Sequence, residues 1–186
     1  VALVRLSGQA SVKIVEKLTG GSPLKNRVST FSKILSPNND VIDRALITCF
    51  RAPASYTGEN VVEITPHGNP AIIENIIETI CIYGGRIADP GEFTKRAFIN
   101  GKLDLIQVEA AAALINSKSK ESALAQQKIA SGALSKKINE IKDILVSTLA
   151  LVENEIDISE ELMGEQTVAN VKTNLMKTAG LIGELL

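Results

Sequence analysis

Residues 88–105, "ADPGEFTKRAFINGKLDL", mark the point at which the hydrophobic pattern of the chain changes. Before this stretch, apolar and polar residues alternate over short runs, which is typical of strands in a half-buried sheet. After it, apolar residues recur every three or four positions, which is the period of an amphipathic helix. The sequence therefore predicts an α+β N-terminal domain, with a mixed sheet and helices, followed by an all-helical segment.

The N-terminal part has the pattern of several strands and two helices. Short apolar runs bounded by turn residues predict the strands, and apolar residues at helical spacing predict the helices. The predicted strands cover residues 1–6, 28–35, 41–50, 60–65 and 86–88, and the predicted helices cover residues 9–18 and 70–83. The turn residues between the second and third strands predict a hairpin.

The C-terminal part is predicted to be helical throughout. Helices are expected over residues 91–100, 105–117, 119–156 and 166–186, with a break at residues 159–164. Two long helices bury little apolar surface on their own, so we expect a partner chain or further helices to complete this part. On this pattern the chain divides into a first domain at residues 1–117 and a helical segment at residues 118–186.

Composition is that of an ordinary globular chain. Hydrophobic residues make up 45% of the 186 residues and the formal net charge is −1, so the chain as a whole has no basic field that would hold nucleic acid. No run of about 18 apolar residues occurs, which predicts no membrane span. Cys49 and Cys81 lie in apolar runs, and we expect two buried thiols rather than a disulfide.

Familiar catalytic and metal-binding motifs do not occur in this sequence. His67 is the single histidine, and no acid or nucleophile stands near it along the chain, so it is interpreted as a turn residue or as a structural hydrogen-bonding residue. One histidine and two cysteines in apolar runs do not match the spacing of a zinc site. No G-x-x-x-x-G-K-[ST] phosphate loop occurs, so this chain alone is not expected to hydrolyse nucleotides. We assign no catalytic residue and no metal ligand.

Three charged residues are open to two interpretations. Arg5 is the one charge in the first predicted strand, and Glu63 alternates with Val62 and Ile64. Both residues could bind a ligand, because guanidinium and carboxylate groups form paired hydrogen bonds. Both could equally be solvent-exposed charges on a strand. Lys102 follows an amphipathic run, where a cation can simply lay its stem along apolar surface.

Three blocks of sequence together resemble the N-terminal part of the tRNA modification GTPase family MnmE, also called TrmE. They are "LVRLSG" at residues 3–8, "SYTGENVVEITPHGNPAI" at residues 55–72 and "DPGEFTKRAFINGKLDLIQVEAAAALI" at residues 89–115. The resemblance implies a tetrahydrofolate-binding and dimerisation domain, similar to the folate domain of the glycine-cleavage aminomethyltransferase, and then the first half of a helical domain. It also implies that the chain begins after the family's opening segment and ends before an inserted GTPase domain.

The same resemblance implies a folate site. Arg5, Glu63 and Lys102 match the family's folate contacts, and the implied ligand is 5-formyltetrahydrofolate or 5,10-methylenetetrahydrofolate. A carboxylate suits the N–H donors of a pterin, and cations suit the carboxylates of a folate tail. The chain departs from the family pattern at Asn69, where glycine is usual and a left-handed turn is expected, and at Asp89, where arginine is usual.

For the intact family, the resemblance implies a cytoplasmic, potassium-activated GTPase that acts as a homodimer with the FAD protein MnmG, also called GidA. Together they attach an aminomethyl or carboxymethylaminomethyl group to carbon 5 of the wobble uridine of tRNA, with tetrahydrofolate supplying the carbon. GTP, Mg²⁺ and K⁺ would bind only in the GTPase domain, and no membrane partner is implied. A mitochondrial or chloroplast location is the alternative for a eukaryotic source. Two other functions stay open: a stand-alone folate-dependent aminomethyltransferase, and a dimerisation scaffold without folate.

Overall fold

The computed structural model describes residues 1–158 and 164–185. The first compact unit, Val1–Leu103, combines a four-stranded sheet with three helices. The second unit, Asp104–Leu186, contains four helices among the described residues. The predicted fold class, an α+β part followed by a helical part, is confirmed. None of the described helices combines the length and the apolar character needed to cross a membrane.

The first unit follows the predicted order of elements. Its strands are β1 (Val4–Ser7), β2 (Thr30–Leu35), β3 (Val41–Phe50) and β4 (Val61–Thr65), and its helices are α1 (Ser11–Leu18), α2 (Pro70–Ile82) and α3 (Glu92–Ile99). The strand order is β1-β4-β3-β2, with all neighbours antiparallel. The prediction that this sheet is mixed is therefore wrong, because the four strands pair only in the antiparallel sense. The strand predicted at residues 86–88 is wrong, because no strand among the described residues pairs with this segment.

One face of the sheet packs against α1 and α2 and forms the core. Side chains alternate between the two faces of a strand, so alternate positions of β1 and β4, and of β3 from Ala45 onward, are apolar and point to the helices. The core includes the following buried residues of the sheet and the two helices: Leu6, Ile47, Val62, Ile64, Val15, Leu18, Ile76 and Ile80. Arg5 and Glu63 alternate with these positions and therefore occupy the opposite face.

Helix α2 begins with a side-chain cap. Asn69 has an extended backbone (φ −90°, ψ 124°), and its Oδ1 accepts a hydrogen bond from the N–H of Ala71 at 2.9 Å. Pro70 follows at the first helical position, where the missing N–H has no intrahelical partner to lose. The expectation of a left-handed residue at position 69 is wrong, because the asparagine side chain caps the helix from an extended conformation instead.

The second unit consists of α4 (Leu105–Ile115), α5 (Lys120–Ala130), α6 (Ala133–Ile158) and α7 (Glu165–Gly183). A single helix over residues 119–156 was expected, and this prediction is wrong. Gly132 has a φ of 85° and separates α5 from α6, because a left-handed residue cannot continue an α-helix. The predicted break at residues 159–164 lies outside the described residues, apart from Gly164, which precedes α7.

The two units divide between Leu103 and Asp104, earlier than the boundary predicted between residues 117 and 118. Asp104 starts α4 with a capping box, in which its carboxylate accepts from the N–H of Gln107 at 2.9 Å and its own N–H donates to Gln107 Oε1 at 3.0 Å. Gln107 Nε2 also donates to the carbonyl of Ala130 at 3.1 Å. Helix α4 is thus tied to α5, which explains why it belongs to the helical unit.

Candidate functional site

The outer face of the sheet carries two of the three predicted site residues as a direct pair. Arg5 in β1 lies opposite Glu63 in β4, and Arg5 Nε donates to Glu63 Oε1 at 2.7 Å. The side chains are 53% and 28% exposed. Among the described residues, this is the one hydrogen bond between protein groups that either side chain makes. Glu63 Oε2 and the terminal nitrogens of Arg5 therefore remain available to a ligand.

Lys102, the third predicted residue, lies against the loop of residues 51–60 that connects β3 to β4. Its Nζ donates to the carbonyl of Pro53 at 3.2 Å. A Cβ atom at Gly58 would approach Lys102 Cγ to 3.2 Å, and Gly58 has a φ of 78°, so the position favours glycine on both counts. Within the part of the chain that the structure describes, no hydrogen bond or ion pair joins Lys102 to Arg5 or Glu63.

An ion-pair network ties this loop to β1 and α3. Glu59, in the loop, accepts a hydrogen bond from Ser7 Oγ at 2.8 Å and from Arg96 Nη1 at 3.0 Å. Arg96 Nη2 also donates to Glu92 at 2.7 Å, and Arg86 Nη1 donates to Glu92 at 2.8 Å. Ser7 follows Arg5 by two positions and shares its face of the sheet. The network therefore fixes the loop that contacts Lys102 beside the strand that carries Arg5.

The network keeps Glu92 ionised. Hydrogen bonds from Arg86, which has the larger effect, and from Arg96 hold the pKa of the Glu92 carboxyl well below its usual range. The N–H of Asp89 also donates to Glu92 at 2.9 Å. Asp89 thus takes part through its backbone, and the charge reversal of its side chain at this position does not remove that contact.

A cleft of about 500 Å³ runs beside β1, which is one of the two edge strands of the sheet. Apolar side chains from α1 and α2 line it, among them Ile14, Ile73 and Ile77, and charged side chains, including Arg5 and Arg96, line its other parts. Glu63 and Lys102 do not line it. An apolar wall with a few charged groups is the usual composition of a site for a ring-bearing small molecule.

His67 has an acidic partner that the sequence analysis missed. Its Nδ1 lies 2.8 Å from Asp43 Oδ1, and its N–H donates to Asp43 Oδ2 at 2.9 Å. Burial alone would raise the pKa of Asp43, but the hydrogen bonds from His67 outweigh that effect and lower the pKa. The His67 ring is 75% exposed. The pair holds the turn after β4 against β3, and the separation of the two residues along the chain hid it from sequence reasoning.

We find no candidate metal-binding site among the described residues. They contain no group of three or more histidine, cysteine, aspartate or glutamate side chains arranged to hold one. Both cysteines are free thiols. Cys49 is buried, which raises the pKa of its thiol, and Cys81 is half-buried.

Two family models match the chain, and their limits follow the division between the compact units. The model described as "GTP-binding protein TrmE N-terminus" matches residues 1–102, and the model described as "MnmE helical domain" matches residues 105–186.

Curated relatives match the chain over nearly its whole length. It is 38% identical over 186 residues to the tRNA modification GTPase MnmE of Campylobacter curvus, covering 100% of this chain and 42% of that relative. It is 39% identical over 185 residues to the protein of the same name from Legionella pneumophila strain Corby, with the same coverage. The corresponding protein of Francisella tularensis subsp. holarctica is 45% identical over 161 residues, which are 87% of this chain and 35% of the relative. The chain thus spans about two fifths of the length of the curated relatives it matches.

Proposed function

The chain belongs to the family of the tRNA modification GTPase MnmE, as its N-terminal and helical parts, and we propose that it binds a tetrahydrofolate one-carbon donor. The donor is 5-formyltetrahydrofolate or 5,10-methylenetetrahydrofolate. A protein that contains this chain would use the folate carbon to build an aminomethyl or carboxymethylaminomethyl group on carbon 5 of the wobble uridine of tRNA. The match to a helical-domain model over residues 105–186 argues against a stand-alone aminomethyltransferase.

The contact between Arg5 and Glu63 carries this proposal. A pterin presents N–H donors along one edge, and a carboxylate can accept two of them. Glu63 Oε1 already accepts from Arg5 Nε at 2.7 Å, which holds the carboxylate in one orientation. A guanidinium beside it can meet a carbonyl or carboxylate oxygen of the same ligand.

The loop of residues 51–60 supplies the second support. Glu59 anchors this loop to Ser7 and Arg96, and Lys102 contacts the same loop through Pro53. A cation held there suits an anionic folate tail. We propose that Lys102 binds this tail, and that the cleft beside β1 accommodates part of the ring system.

Assembly and nucleotide chemistry belong to the same proposal. The chain would form a homodimer and act with the FAD protein MnmG on tRNA in the cytoplasm, or in a mitochondrion or chloroplast of a eukaryote. GTP, Mg²⁺ and K⁺ would bind to the part of the longer relatives that lies outside this chain, because the chain covers 42% of their length and its sequence contains no phosphate loop.

Calorimetric titration of the 186-residue chain with 5-formyltetrahydrofolate tests the proposal. Saturable binding with one ligand per chain is the expected result. The absence of any heat signal or fluorescence change at millimolar folate would reject it. The control is 5-formyltetrahydrofolate added to the unfolded chain, which has no assembled pair of Arg5 and Glu63.

A dimerisation scaffold without folate is the second candidate, and exposed apolar side chains on the helical unit favour it. Leu145 and Leu149 on α6, and Leu175 and Met176 on α7, are exposed, and such residues mark surfaces that associate. A chain that dimerises by light scattering but gives no folate isotherm would have this function instead.

A further inference from the structure

The outer face of β2 and β3 carries a set of charged and aromatic side chains that the folate proposal does not use. We call this surface the hairpin face, and it consists of the strand residues Phe31, Lys33, Arg44, Leu46 and Phe50 together with Arg27, which precedes β2 and lies near the Phe50 ring. Phe31 lies opposite Leu46, and Lys33 lies opposite Arg44, in the β2–β3 register. Residues directly opposite in an antiparallel pair share a face, and the buried Ala45, Ile47 and Cys49 alternate with the hairpin-face residues of β3.

The hairpin face is positive although the chain is not. Residues 25–51 contain five cationic and two acidic side chains, within a chain of net charge −1. Lys33 and Arg44 are exposed, and among the described residues neither takes part in an ion pair. Like charges placed opposite each other weaken a strand pair. An anionic partner would remove that repulsion.

Aromatic rings lie among these cations. Phe31, the second residue of β2, is 64% exposed, which is a high exposure for a large apolar ring within a strand. The guanidinium of Arg27 lies 5.7 Å from the ring centre of Phe50, and Arg27 Nη2 donates to the carbonyl of Ala54 at 2.7 Å. Arg27 also has a φ of 58°, a conformation that costs energy for a residue with a side chain. The guanidinium of Arg27 is therefore held beside the Phe50 ring by contacts with neighbouring residues.

We propose that the hairpin face binds a single-stranded segment of RNA, with Phe31 stacking on an unpaired base and Lys33 and Arg44 contacting phosphates. Exposed rings between cations on an open sheet are the combination that binds single-stranded nucleic acid. The choice of RNA rests on the proposed role in tRNA modification. The hairpin face includes none of Arg5, Glu63 and Lys102, although Glu63 lies beside it on the same face of the sheet, opposite Thr48 of β3. A second copy fits less well, because a two-fold interface centred on this face would bring its cations against themselves.

Fluorescence anisotropy with a labelled RNA stem-loop and the 186-residue chain tests this inference. Phe31→Ala should weaken binding about tenfold, because the stacked ring is lost. The double variant Lys33→Gln and Arg44→Gln should weaken binding at low salt, and each lost phosphate contact should reduce the slope of log affinity against log salt by about 0.7. The matched control is Lys13→Gln with Lys17→Gln, which removes the same charge from exposed positions on α1 and should leave affinity unchanged.

Several results would overturn the inference. Unchanged affinity of the hairpin-face variants would do so, as would equal weakening by the α1 control or equal affinity for a fully paired RNA of the same length. Conversion of a dimer to a monomer by Phe31→Ala, with RNA affinity retained, would assign the face to a second copy. Folate titration of the same variants separates the two proposals: folate affinity should not change, and a chain that binds RNA but no folate would refute only the folate site.

Discussion

Arg5 in β1 and Glu63 in β4 lie directly opposite each other in adjacent strands, with Arg5 Nε 2.7 Å from Glu63 Oε1. The contact depends on β4 being the neighbour of β1, although β2 and β3 lie between them in the sequence. It brings a forked donor and a carboxylate acceptor onto one surface, each with hydrogen-bonding capacity left.

Replacing Glu63 should weaken folate binding. Glu63→Ala removes the acceptor for the pterin N–H groups, and we expect a loss of roughly 1–3 kcal/mol in binding free energy, because those donors would be buried without partners. Glu63→Gln should lose a similar amount, since an amide presents one oxygen and a donor where the carboxylate presents two oxygens. The measurement is calorimetric titration. Glu74→Gln, an exposed position on α2, is the control and should bind like the original chain.

Arg96 should matter more to stability than a surface cation does. It donates to both Glu59 and Glu92, so Arg96→Ala leaves two carboxylates without their shared donor. We expect the free energy of unfolding to fall by about 2 kcal/mol. The comparison is Lys137→Ala, which removes an ion pair whose side chains are 47% and 64% exposed and should cost less than about 1 kcal/mol. Equal losses for the two variants in urea denaturation would contradict this ranking.

Stability should decrease in acid partly through Glu92. Its pKa is depressed in the folded chain, whereas in the unfolded chain it should be near the ordinary value of about 4.3. Below that pH the unfolded state takes up a proton that the folded state does not bind, so the contribution of Glu92 is present above about pH 4.3 and is lost as the pH falls toward its folded pKa. Glu92→Gln should therefore be less stable than the original chain near neutral pH, and this difference should shrink in acid. Urea denaturation at several pH values checks it, and a pH-independent difference would exclude the mechanism.

Two glycines of the helical unit should respond to alanine in opposite directions. Gly132 has a φ of 85°, and a Cβ atom there would lie 3.1 Å from Gln107 Nε2, so Gly132→Ala should destabilise the chain by about 1 kcal/mol or more. Gly180 lies inside α7, where a Cβ atom would meet nothing within 4 Å, so Gly180→Ala should stabilise by about 0.5–1 kcal/mol. Thermal unfolding measures both, and a shift of the same sign for the two variants would be a contrary result.

Local pattern was sufficient to predict most helices and strands. The alternation around Glu63 predicted β4, and Pro70 together with the following apolar spacing predicted α2. It failed where the outcome depends on a single backbone conformation or on a distant partner. Gly132 interrupts an apolar spacing that is otherwise continuous, and residues 86–88 have strand-like composition without a strand to pair with.

The candidate site could be predicted only in part for the same reason. Resemblance identified Arg5, Glu63 and Lys102 one at a time, whereas the contact between the first two follows from the strand order. Asp43 and His67 form a pair that no sequence spacing indicates. Lys33 and Arg44 are adjacent through the register of a hairpin, so a positive surface arises in a chain whose total charge is close to zero.

The capping box at Asp104 makes the junction after Leu103 a natural cutting point. Asp104 and Gln107 satisfy each other's donors and acceptors, so both hydrogen bonds of this cap lie within residues 104–107. A chain cut after Leu103 would keep both residues of this cap. A different domain fused at Asp104 would therefore precede a helix whose N-terminal cap lies in the helix's own sequence.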